Sequence, residues 1–187
     1  MRMNRTLAAL AMACVVALTG CSDRMERSGS SSAENVNATD VMFLQDMLAS
    51  YQQTDRMSRM AESHGASPDV RRLSRRLELS HGYETRSMTA CLKAWGHSGM
   101  TQMPMKPGTQ ADDGMMSGQR MTTLFRLRGL DFDRRFLVMM MAHHEGALAT
   151  AHDELDDGIN PRARSLAQGM MREHGAELET MERMTSR

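Results

Sequence analysis

The stretch Asp131–Ala151, DFDRRFLVMMMAHHEGALATA, decides the fold. Phe136, Leu137, Met140, Ala147 and Ala151 recur at spacings that a helix turning about 100° per residue gathers onto one stripe. With Met140 at zero, His143 lies roughly 60° to one side and His144 roughly 40° to the other, so both imidazoles face the side that packs. An imidazole beneath a core is satisfied by a carboxylate, a backbone carbonyl or a metal ion, and the Met140 thioether adds a soft donor one turn away. Taken alone, the pair reads more readily as hydrogen-bonded structure than as ligands, and the rest of the chain shifts that balance.

Working outward, the stretch has a counterpart 93 residues earlier. Asp40, Phe43, Leu44, Met47 and Ala49 correspond to Asp133, Phe136, Leu137, Met140 and Ala142. Gly65, Pro68, Arg71, Leu73, His81, Gly82, Glu84 and Met88 correspond to Gly158, Pro161, Arg164, Leu166, His174, Gly175, Glu177 and Met181. A gapless period of this length reads as one helical hairpin duplicated. Ser67-Pro68 and Asn160-Pro161 place a capping side chain before a proline at the first helical position, after Gly65 and Gly158 close the preceding helices. The pattern predicts long helices at about 40–63, 68–94, 131–156 and 161–185 and a shorter one near 118–128. Hairpins with short turns pack antiparallel, so the expected fold is all-α: a four-helix bundle over 40–187, its repeats at about 40–95 and 131–187 joined by a crossover over 96–130. No strand signal competes.

Upstream, Arg2 and Arg5 precede an apolar run from Leu7 to Leu18, followed by Thr19-Gly20-Cys21. This reads as a bacterial export signal over 1–20, too short for a permanent span, ending in a lipobox-like site. Cys21 would become the lipidated mature N-terminus and hold the chain to the membrane. Ser22 in place of aspartate favours the outer membrane, with the domain facing the periplasm. Residues 21–39 are Ser-rich, polar and without apolar period, as a flexible tether is. Cys14 leaves with the signal and Cys21 is acylated, so Cys91 remains alone and no intramolecular disulfide is available. With 23 basic and 23 acidic residues and no basic run interleaved with aromatics, nothing points to nucleic acid.

The inner stripe of the fourth long helix carries Ala163, Leu166, Ala167 and Met170, then His174, Glu177 and Met181. The second carries Val70, Leu73 and Leu77, then His81, Glu84, Met88 and Cys91. His-x-x-Glu-x-x-x-Met thus occurs in both halves, whereas Ser50 and Tyr51 stand where the third helix has His143 and His144. Methionine occurs 22 times, more than packing requires, since leucine fills a core with better-defined shape. The crossover, GHSGMTQMPMKPGTQADDGMMSG at 96–118, keeps His97, Met100, Met103, Met105, Met115 and Met116 where no core needs filling. Thioethers exposed in an aerobic envelope oxidise readily, and in M-x-x-M-x-M spacing beside an imidazole they suit Cu(I). Zinc is less well served, because its structural sites want four Cys or His donors.

From about Asp40 onward the chain resembles the domain-of-unknown-function 305 family, through D-F-D-R-x-F-L at Asp131–Leu137, M-x-x-H-H-E-G-A at Met140–Ala147 and H-x-x-E-L-x-x-M at His174–Met181. The family usually has glutamine where His174 stands and often repeats the HH pair in the first half. The resemblance implies a ferritin-like bundle, a Met/His copper site and a role in periplasmic copper binding or tolerance.

The expectation is a lipid-anchored periplasmic protein that binds copper, chiefly Cu(I) with Cu(II) at the His-rich end, and sequesters it or passes it to a transfer protein. It is read as a binder, not an enzyme. Met140, His143 and His144 would face His174, Glu177 and Met181, while His97, Met100, Met103 and Met105 capture the ion. His81, Glu84, Met88 and Cys91 would form a second, weaker site. Two alternatives remain: a structural or signalling lipoprotein without metal, and a ferritin-like di-metal oxidase, for which the inward glutamates are too few.

Overall fold

A computed structural model describes residues 35–64, 67–97 and 114–186. Among them are five helices and no strand: α1 Ala38–His64, α2 Pro68–Ala94, α3 Gly118–Arg126, α4 Gly129–Asp157 and α5 Pro161–Thr185. Each begins or ends within two residues of its expected span. The expected export signal, Cys21 and most of the tether lie outside the described residues, as do Met100, Met103 and Met105. No helix among the described residues is long and apolar enough to cross a membrane.

Local chemistry sets the helix starts. Ser67 Oγ accepts from Asp69 N and Val70 N at 3.1 Å, and Asn160 Oδ1 accepts from Arg162 N and Ala163 N at 2.9 and 3.2 Å. Each cap precedes a proline whose missing N–H is one the first turn would leave unpaired anyway. Gly158 ends α4 at φ −70°, not in the left-handed conformation of a glycine stop. Its lack of a side chain serves packing: the Glu154 carboxylate fills the space a Cβ would take.

α1 packs against α2 and α4, and α4 against α5, while α2 and α5 meet only sparsely. Two aspartates lock the hairpins together, each across to the other's turn. Asp40 Oδ1, near the start of α1, accepts from Ile159 N and Asn160 N at 3.1 and 2.8 Å. Asp133 Oδ2, near the start of α4, accepts from Ser67 N at 2.9 Å. In the 93-residue register Asp40 pairs with Asp133 and Ser67 with Asn160, so the two contacts are one contact made twice. The start of each hairpin therefore lies at the other's turn, and α1 and α4 run antiparallel.

The segment before α1 is less free than a tether over 21–39 implies. Asn37 Nδ2 donates to Asp157 O at 2.8 Å, and Asn160 Nδ2 donates to Asn35 O at 3.2 Å. At the other end of the crossover, the Gln53 amide grips Met116, accepting from its N–H at 2.6 Å and donating to its carbonyl at 2.9 Å. Gly114, at φ 72°, runs so close to α4 that a Cβ there would lie 2.7 Å from Gly146 Cα. The glycine of the HHEGA run thus admits the crossover against the helix.

The apolar core is in two parts. One holds Phe43, Leu44, Met47, Met88, Leu92 and Met170; the other holds Met57, Leu77, Phe132, Phe136, Met140 and Met181. Every long helix contributes to both, and the residues between the two stretches are polar.

Candidate metal centre

Tyr51 is the central residue of α1 and His81 of α2; His143 is the central residue of α4, and His174 adjoins the centre of α5. Because the hairpins are antiparallel and pinned end to end, these midpoints fall at one level. A buried polar layer results, with His81, His143, His144 and His174 each at most 2% exposed.

One ligand atom each from His81, His144, His174 and Glu177 lies within 4.8 Å of the others. His144 Nε2 is 2.9 Å from Glu177 Oε2, and His81 Nε2 is 3.9 Å from the same oxygen. His144 Nδ1 lies 3.0 Å from the Met140 carbonyl, which only a ring N–H can satisfy, so the proton of the neutral ring belongs on Nδ1. Its Nε2 lone pair then faces a carboxylate. Two acceptors in that position call for a cation between them or a second proton on the ring. An anchored N–H with the opposite lone pair presented inward is also how metal-bound histidines are oriented.

The other imidazoles are less satisfied. Neither nitrogen of His81 has a hydrogen-bond partner, nor does His143 Nε2 or His174 Nδ1. Each such buried group costs roughly 1–3 kcal/mol. Burial, with His144 and His81 alongside, lowers His143 to about 3 and holds His174 well below the usual histidine range. Both are neutral near pH 7, the form that binds metals. Burial alone would raise Glu177, but the hydrogen bond with His144 and the adjacent His81 outweigh it and hold the carboxyl at about 2.

The other side of the layer belongs to Tyr51 and Glu84. The Tyr51 hydroxyl donates to Glu84 Oε2 at 2.5 Å and lies 3.3 Å from His174 Nε2. Its ring stacks on His81, centroids 4.1 Å apart and planes 8° apart. Burial, then the neighbouring Glu84, raises the phenol well above its usual value. Burial also raises Glu84 to about 7, with the Tyr51 hydroxyl pulling it down and Glu173 pushing it up. Glu84 and Glu173 line a cleft of about 360 Å³ between α2 and α5, together with Leu166 and Gly169.

Three buried imidazoles, with both nitrogens of His81 and one of His174 unpartnered, and a partly exposed carboxylate fit a divalent transition ion. Imidazole suits copper, zinc, iron and nickel, and one carboxylate offsets half the charge.

A model of the family described as "Domain of unknown function (DUF305)" matches residues 40–185. The chain belongs to the DUF305 family. A DUF305 fragment from Deinococcus radiodurans is 28% identical, covering 81% of this chain and 97% of its own, with a TM-score of 0.74. A DUF305 protein from Streptomyces coelicolor is 24% identical over 76% of this chain and 88% of its own, TM-score 0.68. CopM in its Cu(II)-bound form is 22% identical over 79% of this chain and 95% of its own, TM-score 0.68. No curated protein matches at comparable stringency.

This DUF305 domain groups its expected site residues differently from the sequence reading. His81, expected in a second site with Glu84, Met88 and Cys91, shares the cluster of His144, His174 and Glu177. The reason is depth: the stripe of a helix shows that a residue points inward, not which level it meets. Met88 and Cys91 pack in one apolar cluster, Met140 and Met181 in the other, so these sulfurs flank the layer. His143 lies beside the layer's cluster, its ring 6.4 Å from that of His144 and its Nδ1 3.5 Å from Thr54 Oγ1. His97 is exposed beyond the end of α2. Tyr51 was not among the expected site residues. Its signal was present, since position 51 is the 93-residue counterpart of His144.

Proposed function

We propose that this DUF305 protein is a copper-binding protein of the bacterial envelope that sequesters the ion or hands it on, with His81, His144, His174 and Glu177 as its central ligands. The carrying observation is the set of buried imidazole nitrogens with no hydrogen-bond partner around one ionised carboxylate. CopM, which shares this fold, has been crystallised in Cu(II)-bound, Cu(I)-bound and Ag-bound forms, and that supports copper here.

The donor set divides the work by oxidation state. Nitrogen and oxygen at the layer favour Cu(II), while the thioethers of Met100, Met103 and Met105, with His97, favour Cu(I). In this reading the domain is a ferritin-like four-helix bundle of two duplicated hairpins, joined by the Met-rich crossover. Residues 1–20 direct export, and lipid on Cys21 holds the domain on the periplasmic side of the outer membrane. It acts as a binder, not a catalyst: a di-metal oxidase takes about four inward glutamates, and among the described residues the layer holds Glu84 and Glu177.

The test is a competition titration of the full chain with Cu(I), anaerobically and reduced, and with Cu(II), each against a chromophoric chelator, with zinc as competitor. Uptake of Cu(II) lost on replacing His81, His144 and His174 together, and of Cu(I) weakened on replacing the three loop methionines, is the expected outcome. Zinc held in preference to both copper ions would refute the copper reading.

A further inference from the structure

The 93-residue register superposes the two sides of the polar layer. It pairs Tyr51 with His144, Glu84 with Glu177 and His81 with His174. The contacts follow the pairing: Tyr51 to Glu84 is 2.5 Å where His144 to Glu177 is 2.9 Å. His144 is one of the four clustered donors. The phenol oxygen therefore occupies the position that, on the other side, is held by a ligand nitrogen, and it lies 3.3 Å from Nε2 of a third donor, His174. Its ring is held in place by the stacked His81.

From this geometry we infer that Tyr51 is an additional ligand of the centre, coordinating Cu(II) as the phenolate. The inference rests on the copper reading above and adds an oxidation-state preference to it. With Glu84 in its ionised form, the Tyr51 O–H bond would break on coordination, the oxygen–copper bond would form, and the proton would pass along the existing hydrogen bond to Glu84 Oε2. No charge leaves the layer. The anion moves one hydrogen bond inward, from Glu84 to the phenolate, so the copper charge is met by two directly bound anions, Glu177 and Tyr51. Cu(I) needs only Glu177, and the phenol keeps its proton. In a low-dielectric interior that difference favours the oxidised ion. Without the ion nothing offsets the cost of a buried phenolate, so the phenolate forms only when the centre is filled.

The chain has two tyrosines, and the other, Tyr83, is 68% exposed, so the phenolate has one source. The experiment is a Cu(II) titration of the full chain in detergent, followed by visible absorption and, in parallel, by chelator competition. The expected result is a phenolate-to-copper charge-transfer band that saturates at one equivalent and survives Tyr83→Phe. Tyr51→Phe should abolish the band and lower Cu(II) affinity by at least the roughly 10- to 100-fold that loss of an orienting partner alone costs. Because Tyr51→Phe leaves Glu84 buried without its partner, Tyr51→His is measured beside it. It restores the partnership that His144 has with Glu177, and should bind Cu(II) with no such band. Cu(II) bound without the band, or a band that outlives either Tyr51 variant, overturns the inference and leaves the copper reading standing. No Cu(II) uptake by the wild-type chain overturns both.

Discussion

Replacing Glu177 by glutamine separates a metal centre from a structural hydrogen-bond layer. In the metal-free protein the change should be mild. His144 Nδ1–H is committed to the Met140 carbonyl, so Nε2 is free to accept from the amide that Glu177→Gln introduces, 2.9 Å away at the present oxygen position. The change also exchanges an ionised carboxylate, which the hydrogen bond with His144 holds at about 2, for a neutral amide, so the metal-free Tm should fall by a few degrees. With copper the change should be severe, because the cluster loses its single carboxylate. At Cu(II) about 100 times Kd, binding adds about 2.7 kcal/mol of stability. For a domain of this size that raises Tm by about 5–11 °C, at about 2–4 °C per kcal/mol. A 10- to 100-fold weaker site, roughly the cost of losing even an orienting partner, retains about 0.4–1.4 kcal/mol at the same copper concentration. The copper-induced rise in Tm should therefore fall to about half or less. Circular dichroism melts of both proteins, with and without Cu(II), measure it. An equal loss of Tm in the presence and absence of copper would refute the ligand role of Glu177.

Two further outcomes concern the frame around the centre. Asp40→Ala removes an acceptor that holds Ile159 N, Asn160 N and Asn37 N, and should cost on the order of 3 kcal/mol; Asp133→Ala, whose Oδ1 is unpartnered, should cost about half as much. Urea melts that rank the two the other way would show the reciprocal lock to be unequal for another reason. Burial, then the neighbouring Asp40, raises Glu154 to about 8, so the folded chain keeps a proton that the unfolded chain sheds near pH 4.5. That contribution is present below pH 4.5 and is lost as pH rises through 8. Glu154→Gln should therefore gain stability over wild type as pH rises from 5 to 8, and parallel stability–pH curves for the two proteins would contradict this.

The sequence made the helices legible because each signal is local. Ser67-Pro68 and Asn160-Pro161 start α2 and α5 through their own side chains, and the repeat register carries the same reading from one hairpin to the other. The centre was legible only by halves. His144, His174 and Glu177 follow from the inward stripes of α4 and α5, but His81 was assigned to a second site because a stripe has an angle and no height. Height depends on which end of each hairpin meets the other, and that is set by Asp40 and Asp133 reaching turns more than 60 residues away in sequence. Tyr51 was hidden for a different reason. It departs from the repeated histidine, and a departure looks like loss until the Glu84 hydrogen bond shows that the position kept a polar partner.

The placement of the layer argues for its purpose. Apolar clusters above and below it are closed by Phe132, Phe136, Leu44 and Leu92, all fully buried. Leucine at His81 and His174 would continue those clusters and remove three of the unpartnered ring nitrogens. Such a bundle would be more stable, since exchanging unsatisfied buried polar groups for well-packed apolar ones is commonly neutral or favourable. The chain instead keeps four histidines and two glutamates at the level where all four long helices cross. An element that weakens the fold at its centre is retained where function needs it. On the proposed copper reading the deficit is what an ion would repair: coordination would supply partners to lone pairs that the protein leaves open, so filling the centre and stabilising the bundle would be the same event.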